Sequence, residues 1–344
     1  MGKMVRFAAP RTVTLADEEE RPLAAEEVRV RTLFSGISAG TELTAYRGTN
    51  PYMNSSWDRE RRLFVPGTTS LEYPVDGWGY EEVGEVVEVG AAAAGVAVGD
   101  VVWGTWGHRA TVVRAAAYAA ARVLPVGCNP LLGVFSQIGA IALNVVLDAD
   151  IHATETVAVF GLGVPGQLVA QLARLNGARV IAVDHDPRRL EVARELGAEE
   201  VVDAGCGEVA ERIRALTGNR GADACLEVSG HHAALHEAIH SVAYNSRVVV
   251  AGFFQGDAVG LRLGEEAHHN RPQLVVSQIG GVAPALAHRW DEHRLQTSFM
   301  QLAASGRLHL EELVTDIVPV DDAAKAFELL DSSPGDALQI VLEF

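Results

Sequence analysis

The chain has 344 residues, 48% of them hydrophobic, with 28 Lys and Arg against 45 Asp and Glu, a formal charge of −17. That length accommodates about two domains with proper cores, and the acidic excess opposes adhesion to phosphate backbones and anionic membranes, so no nucleic-acid or membrane partner is expected. Cys128, Cys206 and Cys225 have no paired spacing, which argues against a disulfide framework or a Cys-rich zinc site and fits a reducing, cytoplasmic compartment.

In chain order, the N-terminus MGKMVRFAAPRT lacks the apolar core of a signal peptide, and Arg6 stands where myristoylation of Gly2 needs Ser or Thr. Residues 28–33 alternate apolar with basic or polar side chains, as a half-buried strand does. Residues 83–89 and 101–103 are β-branched runs bounded by glycines. Between the first and second of these strands, at 28–33 and 83–89, residues 49–79 read as a long surface loop or lobe, functional or merely decorative. Residues 123–147 are uncharged, but two prolines, three amides and three glycines make them a poor membrane helix.

The rhythm changes near residue 155. Strands at 156–160, 179–183, 201–202, 224–228, 247–251 and 273–279 alternate with helices at 167–175, 187–196, 209–216 and 232–242. Strands and helices in alternation imply a parallel, doubly wound sheet with right-handed crossovers. The tail mixes helices at 295–305 and 323–330 with a last strand at 338–342. His232, His236 and His240 fall at i, i+4 and i+8 on one helix face. Adjacent members of that row suit zinc, but such coincidences are common, and no metal is expected.

Between the first strand of this half and its helix stands Gly161-Leu162-Gly163-Val164-Pro165-Gly166. That context gives the glycines a chemistry. Gly161 permits a tight turn, Gly163 lets the backbone approach a pyrophosphate, and Gly166 allows close helix–strand packing. The helix start at Val164 offers amides to the anion, with Pro165 removing one donor. Asp184 ends the second strand, where a carboxylate accepts ribose hydroxyls and repels the extra phosphate of NADP. Arg188 and Arg189 complicate the choice, because a 2′-phosphate recruits such groups; NAD is the expected cofactor. Ser229, Gly252 and Phe253, at the ends of the fourth and fifth strands, should line the cofactor's edge of the sheet.

Further motifs precede this loop. Gly36-Ile37-Ser38-Ala39-Gly40-Thr41-Glu42, Gly79-Tyr80-Glu81-Glu82-Val83-Gly84 and Val98-Gly99-Asp100-Val101-Val102 resemble three segments of the medium-chain dehydrogenase/reductase superfamily, in the right order and over nearly the whole chain. The resemblance implies an α/β fold: a GroES-like β-rich catalytic domain and a Rossmann dinucleotide-binding domain. The expected divisions are 1–137, 138–280 and a return to the catalytic domain over 281–344. It also implies pairing through residues 273–279 into a homodimer.

The departures from that pattern bear on mechanism. Zinc-dependent members hold the metal through the Cys of the first segment, the His of the second and a later Cys or acid. Here Ser38 and Tyr80 stand in the first two places, the third region reads Phe135-Ser136-Gln137, and no cysteine precedes Cys128. Only Glu81 remains. This pattern is similar to a metal-free-looking subgroup that includes bacteriochlorophyllide a dehydrogenases, whose substrate does not carry over. Thr41 falls where relatives place a proton-relay hydroxyl, and Tyr80 is expected to donate a hydrogen bond to a substrate oxygen. Glu81 either orients Tyr80 or is a structural acid, and His108 is either a catalytic imidazole or a turn residue. The implied activity is zinc-independent hydride transfer between NAD(H) and a small-molecule secondary alcohol or ketone. A C=C reductase using NAD(P)H and a non-catalytic dinucleotide-binding sensor or scaffold are the alternatives.

Overall fold

The computed structural model describes residues 2–344. The N-terminal part runs β1 (Gly2–Ala9), β2 (Thr12–Glu18), β3 (Glu27–Gly36), α1 (Ala39–Arg47), β4 (Ser55–Asp58), β5 (Leu63–Pro66) and β6 (Val75–Asp76). It continues with β7 (Glu82–Val89), β8 (Val101–Gly104), β9 (Thr111–Ala115) and α2 (Ala116–Ala120). The middle holds α3 (Ser136–Ala149), β10 (Thr156–Phe160), α4 (Val164–Leu175), β11 (Arg179–Asp184), α5 (Pro187–Glu195), β12 (Glu200–Asp203) and α6 (Val209–Leu216). There follow β13 (Ala222–Glu227), α7 (His232–Ser241), β14 (Val242–Val250), α8 (Glu266–Asn270), β15 (Gln273–Val276) and α9 (Glu292–Ala304). The tail adds β16 (Val314–Pro319), α10 (Ala323–Ser332) and β17 (Gln339–Glu343).

Contacts divide the chain into one unit of Met1–Gln137 with Leu310–Phe344 and a second of Ile138–His309. The return to the first unit therefore comes at residue 310, where the sequence suggests 281. The reason lies in α9: Phe299 is fully buried, and its ring lies against Gly139 of α3, where a Cβ would overlap it.

In the first unit, β3 organises a sheet of order β16-β17-β3-β7-β8, with β9 also paired to β3. The alternation read at residues 28–33 explains its position. Val28, Val30 and Thr32 are buried, while Arg29 reaches Glu88 at 2.9 Å and Arg31 reaches Glu85 at 2.5 Å on the other face. A hairpin of β1 and β2, with β6 beside β1, forms a second sheet. Between these sheets' strands, Phe7, Ile37, Leu43, Tyr46, Phe327, Ile340 and Leu342 share one core. The ring of Phe7 meets Phe327 edge-on at 5.0 Å. The 49–79 segment holds the β4–β5 hairpin, with Trp57 and Phe64 tilted together at 5.1 Å and both exposed.

The second unit is a fully parallel sheet of order β12-β11-β10-β13-β14-β15, the Rossmann order. Its central strand β10 is buried at every residue, as a strand covered by helices on both faces is. Ala158, Phe160, Ile181, Val183, Ile213, Ile239 and Val248 are among the buried residues of one cluster. The architecture is thus the expected GroES-like sheet unit joined to a Rossmann unit. The stretch Pro130–Ala149 is long and apolar enough to cross a membrane, but 72% of its most apolar window is buried inside the protein, as in a core helix.

Candidate active site

In the first unit, α1 begins directly after β3, and Tyr80 and Glu81 immediately precede β7, which pairs with β3. This places Tyr80 over the first turn of α1. Tyr80 Oη makes a short hydrogen bond with Ser38 Oγ and donates to Thr41 Oγ1 at 3.2 Å. Burial, and next the negative charge of Glu81, push the phenol above its ordinary range. Tyr80 is therefore protonated at neutral pH and works as a donor.

Glu81 does not hold Tyr80 by a hydrogen bond. Its Oε2 accepts from Gln339 Nε2 of β17 at 3.3 Å, and the residue is 1% exposed. Burial, followed by Glu42 and Glu82, raises its carboxyl well above the ordinary value. His108 belongs to a second, deeper network. Its Nε2 lies 2.6 Å from Glu42 Oε2, and its Nδ1 lies 2.6 Å from Ser35 Oγ. Ser35 in turn donates to Glu82 Oε1 at 3.3 Å, and Glu42 Oε1 accepts from Ser38 N at 2.9 Å. Burial disfavours the imidazolium, but Glu42 and then Glu82 outweigh it, and the pKa of His108 is raised. When protonated, the ring donates from Nε2 to Glu42 and from Nδ1 to Ser35. Both nitrogens are engaged, so His108 positions Glu42, and Glu42 fixes the Ser38 backbone.

The structure thus groups Thr41 and Tyr80, and sets Glu81 and His108 apart as buried polar groups behind them. Ser38, Ser35, Glu42, Glu82 and Gln339 complete the arrangement. Their roles were not legible locally, since each depends on a partner that the fold brings from a distant segment.

In the second unit, Gly161 takes φ +91° and Gly163 caps α4, with Val164 and Pro165 in its first turn. A Cβ at Gly166 would overlap the carbonyl oxygen of Gly161, and one at Gly161 would crowd Ser229. Asp184 is 5% exposed. Its Oδ2 accepts from Leu162 N at 2.6 Å, and its Oδ1 accepts from His185 N and Asp186 N at 2.7 and 2.9 Å. It therefore ties the glycine turn to the end of β11. Asp186 caps α5 through Arg188 N at 2.9 Å and Arg189 N at 3.4 Å. Ser229 N donates to the buried Glu227 at 2.8 Å, Gly252 packs on Gly230, and Phe253 is exposed. These residues share the carboxyl edge of the parallel sheet, the edge where dinucleotides bind.

A family model described as "Zinc-binding dehydrogenase" matches residues 165–299. Over the full length of both chains, the protein is 30% identical to a D-guloside 3-dehydrogenase of Escherichia coli K12. Among solved structures it resembles 2R,3R-butanediol dehydrogenase from Bacillus subtilis, with a TM-score of 0.80, 23% identity and complete coverage of both chains. It also resembles a putative zinc-binding dehydrogenase from Sinorhizobium meliloti bound to NADP, with a TM-score of 0.78, 21% identity and coverage of 100% and 99%. The donor set of Ser38, Tyr80 and Glu81 does not fit the zinc in that family description. Two neutral hydroxyls bound to each other and one carboxyl with a raised pKa lack the thiolate and imidazole donors that zinc prefers. The two-unit fold, the glycine turn and the full-length relative agree: the chain belongs to the medium-chain dehydrogenase/reductase superfamily and is an oxidoreductase with a dinucleotide-binding Rossmann unit.

Proposed function

We propose that the protein is an NAD(H)-dependent dehydrogenase that interconverts a secondary ring hydroxyl of a glycoside and the corresponding ketone without catalytic zinc. The observation that carries this reading is the full-length relative named D-guloside 3-dehydrogenase. Its name describes oxidation at a ring carbon bearing a secondary alcohol, and it favours that substrate class over the bacteriochlorophyllide subgroup. Preference for NAD rests on Asp184, which sets a buried carboxylate at the ribose end of the glycine turn. We read residues 1–137 with the C-terminal tail as the catalytic domain. The enzyme is proposed to work in the cytoplasm, in keeping with three free cysteines, and as a homodimer.

When bound, NAD+ supplies the hydride acceptor. The reaction balances as secondary alcohol plus NAD+ giving ketone, NADH and a proton. The chain's own residues handle the proton. Ser38, Tyr80 and Thr41 form a run of hydroxyls in which each group gives up a proton as it takes one and the partly exposed Thr41 passes it to water, so the high pKa of Tyr80 is no obstacle. In the reverse direction, Tyr80 donates a hydrogen bond to the ketone oxygen.

The test measures nicotinamide reduction with NAD+ and NADP+ against a panel of glycosides and simple secondary alcohols. The expected result is turnover of glycosides with NAD+, and a loss of at least about tenfold in kcat for Tyr80→Phe with NADH binding unchanged. Faster turnover with NADP+ would overturn the cofactor assignment. Full activity in Tyr80→Phe would remove the hydroxyl run from the chemistry.

A further inference from the structure

The histidine row on α7 does not stay together. His232 stacks on Phe254 with ring centroids 5.2 Å apart and lies 3.4 Å from the Gln255 carbonyl oxygen. His236 and His240 instead meet each other, with centroids 3.9 Å apart. They face the start of α8, where Glu265 and Glu266 stand. Ligand atoms of His236, His240 and Glu265 all lie within 4.8 Å of one another, and His240 Nε2 is 3.0 Å from Glu266 Oε2.

His236 distinguishes this cluster from a chance meeting of surface charges. It is 9% exposed, yet neither Nδ1 nor Nε2 has a hydrogen-bond partner. The 3.0 Å contact of His240 with Glu266 is not aligned as a hydrogen bond, so Nε2 and Oε2 are also unsatisfied. Each buried polar group left bare costs about 1–3 kcal/mol. One ring nitrogen of His236, His240 Nε2 and Glu266 Oε2 therefore need a common partner. Imidazole nitrogens and carboxylate oxygens have one in common: a divalent cation accepts lone pairs from both.

We propose that His236, His240 and Glu265, completed by Glu266, bind one divalent transition-metal cation of the zinc type and thereby clamp α8 to α7. A tetrahedral zinc with bonds of about 2.0–2.2 Å holds its ligand atoms roughly 3.3–3.6 Å apart. The observed spread closes to that spacing by side-chain rotation. Arg262 Nε donates to Glu265 Oε2 at 2.8 Å, which orients that carboxylate and leaves Oε1 to the metal.

The site is structural. α7 starts at the carboxyl end of β13 and runs back along the sheet, so His236 and His240 lie about 6 and 12 Å farther along its axis than His232. The cation would fix the middle of the β14–β15 connection, the segment that carries Gly252 and Phe253 near its start.

Full-length protein stripped with a chelator and titrated with zinc against a chromophoric competitor tests the proposal. The expected result is one equivalent per chain, zinc-dependent elevation of Tm, and affinity at least about tenfold weaker in both His240→Gln and Glu265→Gln. NADH binding, retained in the variants, shows that they are folded. Absence of stoichiometric uptake by the unmodified chain would overturn the proposal. So would zinc affinity unchanged in folded His236→Ala/His240→Ala, which would locate the ion elsewhere.

Discussion

Glu81 is the residue at which the first unit's electrostatics are most exposed to test. A buried carboxyl between Glu42 and Glu82 titrates above the ordinary glutamate value of about 4.3. The folded state then holds a proton that the unfolded state releases, so stability falls as pH rises above about 4.3. Glu82 is raised by burial and His108 by Glu42 and Glu82 against its burial. His108 acts in the same sense, its contribution being complete below its unfolded pKa of about 6.5 and lost as pH rises through the higher folded value. Carboxyls lowered by arginines, such as Asp76 and Asp223, act oppositely only in acid, so thermal melts from about pH 5 to alkaline pH should show a falling Tm. In Glu81→Gln the fall should be shallower, with the variant gaining several degrees on the parent at the alkaline end. The amide keeps an acceptor for Gln339 without the charge. Equal slopes in the two proteins would mean that Glu81 is not the group that titrates. Sequence showed that a carboxylate follows Tyr80, but not that its partner is Gln339, more than two hundred residues away. Partners of buried polar groups are set by strand register, which no local pattern encodes.

Elements were legible where periodicity and punctuation agreed. Residues 209–216 form α6 and residues 156–160 form β10 within the bounds read from sequence, because each is apolar on the face it buries and ends at a clear break. α1 and β16 were not legible. α1 has glycine at its second position and threonine at its third and sixth, and it is held by the contact of Leu43, Ala45 and Tyr46 with the core around Phe327. The glycine turn was readable as a motif, but its attachment to β11 was not. Asp184 binds three backbone amides, so this one side chain shapes the turn as well as being the proposed ribose contact. Asp184→Ser is expected to raise the Kd for NADH at least about tenfold and to reduce its advantage over NADPH, both measured by fluorescence titration. Unchanged preference would place discrimination with other groups at that edge.

For the whole molecule, the acidic excess and the Rossmann sheet's open edge act in opposite directions. A charge of −17 keeps copies apart at low salt. Yet among the described residues β15 pairs only with β14, and its outer side presents unpaired backbone groups flanked by Leu274 at 48% and Val276 at 75% exposure. Such an edge invites strand addition, and it has no lysine, proline or bulge to discourage it. A two-fold axis beside β15 would let the same strand of a second copy close both edges at once. Sedimentation equilibrium at moderate salt should therefore give twice the chain mass, with the dimer weakening as salt is lowered and repulsion is unscreened. Leu274→Lys/Val276→Lys adds charge along the seam of a symmetric pair, where each lysine faces its own copy. The variant should sediment as a monomer while still binding NADH, because the glycine turn lies on the opposite side of β14, between β10 and α4. A parent chain that is monomeric at every salt, or a double-lysine variant that remains dimeric, would show that β15 is not the interface.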